Sequence, residues 1–167
     1  MPAHAPPAPA TSALTIRAEP FDGPDGAAMR AELEAELRRR YGEDSEPGTP
    51  PTAADTPVFL IVRDRSGRAL GCGALRTLGP QTVEIKRMYV RLADRRRGVA
   101  RALLEALEER AGRLGARWIV LETGPRQPEA IRLYARQGYR PIPCAGVLAG
   151  SRRSMCFARA VPSPALP

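Results

Sequence analysis

The chain has 167 residues, enough for one domain with a core able to fold alone. Hydrophobic residues make up 43%, which excludes a largely disordered chain, and no apolar run approaches the roughly 18 residues that span a bilayer. The net charge of +8 points to an anionic partner, either nucleic acid or a polyanionic small molecule.

In chain order, Met1 to Ser12 is Pro/Ala-rich and lacks a charged segment followed by an apolar one, so a disordered tail is expected rather than a secretory signal. The expected domain spans residues 13–160, with a second short tail over 161–167. Leu14 to Glu19 alternates apolar and polar residues, as an edge strand does. Asp25 is placed to cap a helix from about Ala27 to Tyr41, whose Met29, Leu33 and Leu37 share one face. Gly42 to Pro57 has no periodicity and reads as an acidic loop, either solvated or close to a basic substrate.

Val58 to Arg63 and Ala69 to Leu78, separated by Asp64-Arg65-Ser66-Gly67-Arg68, form a hairpin pattern. Gly79-Pro80 turns the chain into a third strand, Thr82 to Val90. A helix follows from about Gly98 to Leu114, with Leu103, Leu104, Leu107, Ala111 and Leu114 as its apolar stripe, and Gly115 ends it. Trp118 to Glu122 is a continuously apolar strand of the kind buried on both faces. Strand, helix and strand in this order imply a parallel crossover. A last helix spans about Pro128 to Gln137, and two closing strands lie near Tyr139 to Ile142 and Ser154 to Ala158. The expected fold is mixed α/β, with a central, mostly antiparallel sheet, one parallel β-α-β crossover and helices on both faces.

Cys72, Cys144 and Cys156 are odd in number and show no C-x-x-C spacing, so three reduced thiols of a cytoplasmic protein are expected. Of the 26 basic residues only Lys86 is lysine, and aromatic residues do not interleave with the arginines. A nucleic-acid stacking surface would need that interleaving.

The most informative stretch runs from Val83 to Leu104. There a strand enters the loop Arg95-Arg96-Arg97-Gly98-Val99-Ala100, which opens directly onto a helix. A helix start presents unpaired N–H groups and a positive dipole end, which suits phosphate. Gly98 lets an anion approach the backbone, and Arg95, Arg96, Arg97 and Arg101 add charge. The hexapeptide taken alone is equally consistent with an ordinary helix turn carrying solvated arginines. The loop is neither G-x-G-x-x-G nor a G-K-[ST] loop.

This segment resembles the coenzyme-A-binding motif [QR]-x-x-G-x-[GA] of the GNAT superfamily of N-acetyltransferases, and Arg95 to Ala100 matches it in full. Gln127 to Tyr139 is similar to the family's second motif, N-x-x-A-x-x-x-Y-x-x-x-G-[FY], with Gln127 where the family usually has Asn. The resemblance extends over about Leu14 to Ala158. It implies that acetyl-CoA is the acyl donor, with no metal, and that the acceptor is an amine. Backbone groups of Met88, Tyr89 and Val90 would pair with the pantetheine amides. N–H groups of Arg96, Arg97, Gly98, Val99, Ala100 and Arg101 would hold the pyrophosphate, with Gln127 nearby. Tyr134 would lie beside the thioester sulfur as the catalytic hydroxyl. The loop Cys144 to Gly150 carries no aromatic residue, unlike that of many bacterial relatives.

A proton acceptor is harder to place, because the only histidine, His4, lies in the tail. A primary amine with a pKa of about 10.4 is neutral in roughly 1 molecule in 2,500 at pH 7, a deficit of about 4–5 kcal/mol. Glu84 lies eleven residues before Arg95, the spacing at which some relatives place a general base. Strand alternation puts it on one face with Lys86 and Met88, so Glu84 reads as a base, as half of an ion pair, or as an ammonium site. Glu122 is a candidate for holding the acceptor's positive charge. A small-molecule amine is the expected acceptor. A peptide acceptor and a non-catalytic acyl-CoA-binding module are the alternatives, and a homodimer is left open. Neither nucleic acid nor a membrane is expected as a partner.

Overall fold

The computed structural model describes residues 13–42, 50–148 and 153–163. Both terminal tails (apart from residues 161–163), residues 43–49 of the acidic loop and residues 149–150 of the later loop lie outside this range.

The chain runs β1 (Thr15–Ala18), α1 (Pro24–Tyr41), β2 (Val58–Arg63), β3 (Ala69–Thr77), β4 (Thr82–Val90), α2 (Val99–Arg113), β5 (Trp118–Thr123), α3 (Pro128–Arg136), β6 (Arg140–Ile142) and β7 (Met155–Ala160). The seven strands form one sheet in the order β1-β2-β3-β4-β5-β7-β6. Only β4 and β5 pair in parallel, joined through α2, and the other neighbours are antiparallel. β5 has strands on both sides, so its Ile119, Val120 and Leu121 are all buried.

Leu103, Leu104, Leu107 and Ala111 of α2 pack with Leu60, Leu75, Ile85, Ile119 and Leu121, and Ile131 and Leu133 of α3 join the same cluster. On the opposite face Met29 and Leu33 of α1 cover Phe59, Ile61, Cys72, Ala74 and Tyr89. Leu114, expected in the α2 stripe, falls past the helix end and is 45% exposed. Asp25 is not a cap. The helix begins at Pro24, whose fixed φ suits a first turn, after Gly23, which makes no side-chain cap. Asp25 instead pairs with Arg63 at 2.8 Å.

The thiol expectation is corrected as well. Cys144 and Cys156 form a disulfide, leaving Cys72 as the free, buried thiol. β6–β7 pairing sets Ile142 opposite Cys156, and the chain then turns back so that the two Cα atoms are 5.3 Å apart. That separation lies within disulfide range.

Candidate active site

β4 and β5 pair only from Thr82–Trp118 to Ile85–Leu121. Beyond that point the strands separate, and among the described residues the β5-facing edge of β4 has no strand partner from Lys86 onward. The cause lies within β4. Cys72 pairs with Tyr89 while Ala74 pairs with Lys86, so Arg87 and Met88 together face Gly73. This is a β-bulge, and Arg87 takes a φ of 55° to make it. Gly73 has no room for a side chain, since a Cβ would lie 2.9 Å from Leu107 of α2.

The bulge breaks alternation. Glu84 and Lys86 stay on the α1 face, Arg87 reaches Glu34 of α1 at 3.4 Å, and Met88 turns to the α2–α3 face. The expectation that Met88 shares a face with Glu84 is therefore corrected. On its new face Met88 meets Tyr134, whose hydroxyl donates to the Met88 sulfur at 3.8 Å. Tyr134 is buried, and that burial pushes its hydroxyl up to about 12. Tyr139 packs edge-on against it with ring centroids 5.7 Å apart.

After β4 a short 3-10 turn, Leu92–Asp94, leads into the loop before α2. Asp94 is buried and accepts two hydrogen bonds from Arg68, at 2.7 and 2.9 Å, and one from Arg97 at 3.1 Å. Arg96 has a φ of 63° and Gly98 a φ of 78°, which curl the backbone around its own N–H groups. No side chain caps α2, and its first internal bond runs from Ala102 to the Gly98 carbonyl at 3.1 Å. The N–H groups of Val99, Ala100 and Arg101 thus have no intrahelical acceptor.

Arg96, Arg97 and Arg101 are exposed beside them. Arg95 is turned inward, bonding the Val90 carbonyl at 2.8 Å and both oxygens of Glu36 at 2.6 and 3.0 Å. Glu36, held also by Arg40 at 2.7 Å, keeps its carboxyl below the usual range through Arg95 and Arg40, although burial opposes this. Gln127, at the start of α3, donates to the Tyr41 hydroxyl at 3.4 Å.

On the α1 face, Glu84 is fully buried. Arg76 of β3, directly opposite, donates to one of its oxygens from Nε at 3.0 Å and from Nη2 at 2.7 Å. Lys86 Nζ lies 3.6 Å from the other oxygen. Glu122 is the first β5 residue past the separation. It is half-buried, it accepts a hydrogen bond from Ser154, and burial pushes its carboxyl above the usual range.

Separation of β4 from β5 thus brings together Met88, Tyr134, Glu84, Lys86 and Glu122, with the loop 95–101 at the adjoining helix start. Arg76, Glu36, Asp94, Tyr41 and Ser154 were not singled out from the sequence, because only strand pairing and helix docking bring them to the site. Among the described residues no group of three His, Cys, Asp or Glu side chains could hold a metal ion, and no helix is long and apolar enough to cross a membrane.

The model of the acetyltransferase (GNAT) family matches residues 24–139. The chain is 39% identical over 90 residues to an IAA acetyltransferase of Azospirillum brasilense, covering 53% of this chain and 58% of the relative. It spans about half the length of the curated relatives it matches. A putative acyl-CoA N-acyltransferase from Klebsiella pneumoniae superposes with a TM-score of 0.74 at 28% identity, over 89% of this chain and 97% of that one. A putative acetyltransferase from Salmonella typhimurium, solved with its cofactor acetyl-CoA, has the same fold, with a TM-score of 0.63 at 20% identity over 93% of this chain and 98% of that one.

Proposed function

This chain belongs to the acetyltransferase (GNAT) family, and on that premise we propose that it transfers the acetyl group of acetyl-CoA directly to the amine of a small molecule. The observation that carries the reading is the separation of β4 from β5, with the Tyr134–Met88 contact inside it and the uncapped start of α2 beside it. An extended pantetheine arm has amides that can pair with a free strand edge, as a peptide adds to a sheet. The edge of Met88, Tyr89 and Val90 fits that role, with the Val90 carbonyl already taken by Arg95. A pyrophosphate fits the N–H groups of residues 96–101, and at Gly98 no atom lies where a side chain would stand.

Direct transfer needs three events. The neutral amine nitrogen attacks the thioester carbonyl, the new C–N bond replaces the C–S bond, and sulfur leaves with the electron pair. Tyr134 stays protonated at neutral pH, and in this reading it donates a hydrogen bond to that sulfur as its charge grows. Since a thiol of pKa about 8.5 is a stronger acid than tyrosine, the hydroxyl acts by stabilising the thiolate.

Calorimetric titration with acetyl-CoA, followed by thiol release with a panel of amino acids, polyamines and aralkylamines, tests the reading. Binding with release by one of these amines is expected, with Tyr134→Phe binding normally but turning over at least about tenfold more slowly. Absence of acetyl-CoA binding would overturn it.

A further inference from the structure

Two carboxylates flank the point where β4 and β5 part, and their surroundings differ. Glu84 has no exposed surface, and Arg76 occupies one of its oxygens with two hydrogen bonds while Lys86 stands over the other. Its second oxygen has no hydrogen-bond partner, and the ammonium 3.6 Å away leaves it shut in beside two cations. Glu122 stands one residue beyond the last β4–β5 pair and keeps part of its surface open. Its neighbours from the surrounding elements are the Ser154 hydroxyl before β7, Lys86 and Glu84 on β4, and Arg76 on β3.

The two faces of the sheet complete the geometry. In-register neighbours share a face, so Glu84 and Val120 lie on one side and Ile85 and Leu121 on the other. Glu122 therefore projects on the Glu84 side, whereas Tyr134 and Met88 lie on the α2–α3 side. Direct acyl transfer uses a proton acceptor for the incoming amine and a hydrogen-bond donor for the departing sulfur, and placing the two on different faces keeps the acceptor from taking the donor's proton.

We propose that Glu122 is the proton acceptor for the acceptor's ammonium group, with Ser154 as its positioning residue, and that Glu84 serves as the counter-ion of Arg76 and Lys86. Glu122 takes one proton from the ammonium, and the freed lone pair forms the C–N bond as the C–S bond breaks. The second proton lost by the nitrogen ends on the departing thiolate, giving the amide and the free thiol, and the carboxyl returns its own proton to solvent. The assignment rests on the acetyltransferase reading above. Burial of Glu122 agrees with it, because a carboxylate held above its ordinary range is a better base at neutral pH.

The test compares wild type, Glu122→Gln and Ser154→Ala, using the most reactive alkylamine of the panel and an aromatic amine that is already neutral at pH 7. In wild type kcat/KM should fall on the acid side, through a midpoint above the ordinary carboxylate range. Glu122→Gln should lose about a hundredfold or more in kcat with the alkylamine. It should bind acetyl-CoA as wild type does, and much of its defect should vanish with the aromatic amine. Ser154→Ala removes a hydrogen bond that favours the carboxylate, so its acid limb should move to higher pH. A Glu122→Gln enzyme that binds acetyl-CoA and keeps kcat within threefold would overturn the assignment, as would an equal loss with both amines. Failure of wild type to bind acetyl-CoA would instead remove the reading beneath it.

Discussion

Replacing Arg76 with methionine tests the charge balance beneath the site. Arg76 is 6% exposed and Glu84 0%, and the guanidinium supplies both hydrogen bonds to Glu84 Oε2, at 3.0 and 2.7 Å. Methionine fills similar space and removes the charge, leaving Lys86, 3.6 Å from the other oxygen, as the nearby cation for a carboxylate that cannot reach water. Stranding one member of a buried pair costs about 3–5 kcal/mol. With a urea m-value of about 2 kcal/mol/M, the unfolding midpoint should drop by about 1.5–2.5 M. Adding Glu84→Gln removes the stranded charge, so the double variant should recover at least half of the loss. The assay is urea unfolding followed by circular dichroism for wild type, both single variants and the double variant. A single Arg76→Met variant within about 1 kcal/mol of wild type would refute the reasoning. So would strictly additive single effects, because contacting partners couple by about 0.5–3 kcal/mol.

Opening the Cys144–Cys156 bond, which spans a sequence separation of 12, should cost about 3 kcal/mol in chain entropy and lower Tm by about 6–12 °C. Differential scanning calorimetry with and without reductant, alongside Cys144→Ser/Cys156→Ser, checks this. Three buried groups hold their protons longer in the folded chain. Burial raises Cys72 and Tyr134 to about 12 and raises Tyr139 further, with Glu108 adding to it. Their unfolded counterparts release protons at lower pH, so the stability they contribute is complete below pH 8 and falls steadily from about pH 9 towards 12. Urea midpoints taken every half pH unit from 8 to 11 should decline accordingly, and a flat profile would contradict the burial of these groups. Arg97→Glu with Arg101→Glu should weaken acetyl-CoA binding at least tenfold, or about 1.4 kcal/mol, with Tm followed alongside because Arg97 also donates to the buried Asp94. Normal binding by calorimetry would dissociate the helix start from the pyrophosphate.

What the sequence by itself determined is whatever repeats over short distances. The α2 stripe of Leu103, Leu104 and Leu107 follows from helical spacing, and the unbroken apolar run of β5 marks a strand buried on both faces. The Gly98 loop was legible for a related reason. Glycine takes the positive φ of Gly98 without the steric cost a side chain would add, and the N–H groups that follow belong to the helix whatever packs around it. Gln127 to Tyr139 was legible as a motif of contiguous residues.

Only the tertiary structure decided which residues meet. Alternation put Met88 beside Glu84, but the bulge at Arg87 added one residue to β4 and sent Met88 to Tyr134 instead. No local pattern announces that bulge, since its φ of 55° falls on an arginine rather than a glycine and is held by the partner strand and α1. Cys144 and Cys156 looked like separate thiols because their spacing fits no motif, and β6–β7 pairing joined them. The same holds for Arg76 opposite Glu84 and for Ser154 against Glu122. Periodicity is a property of neighbouring residues, whereas charge pairing across a sheet depends on register, which long-range packing sets.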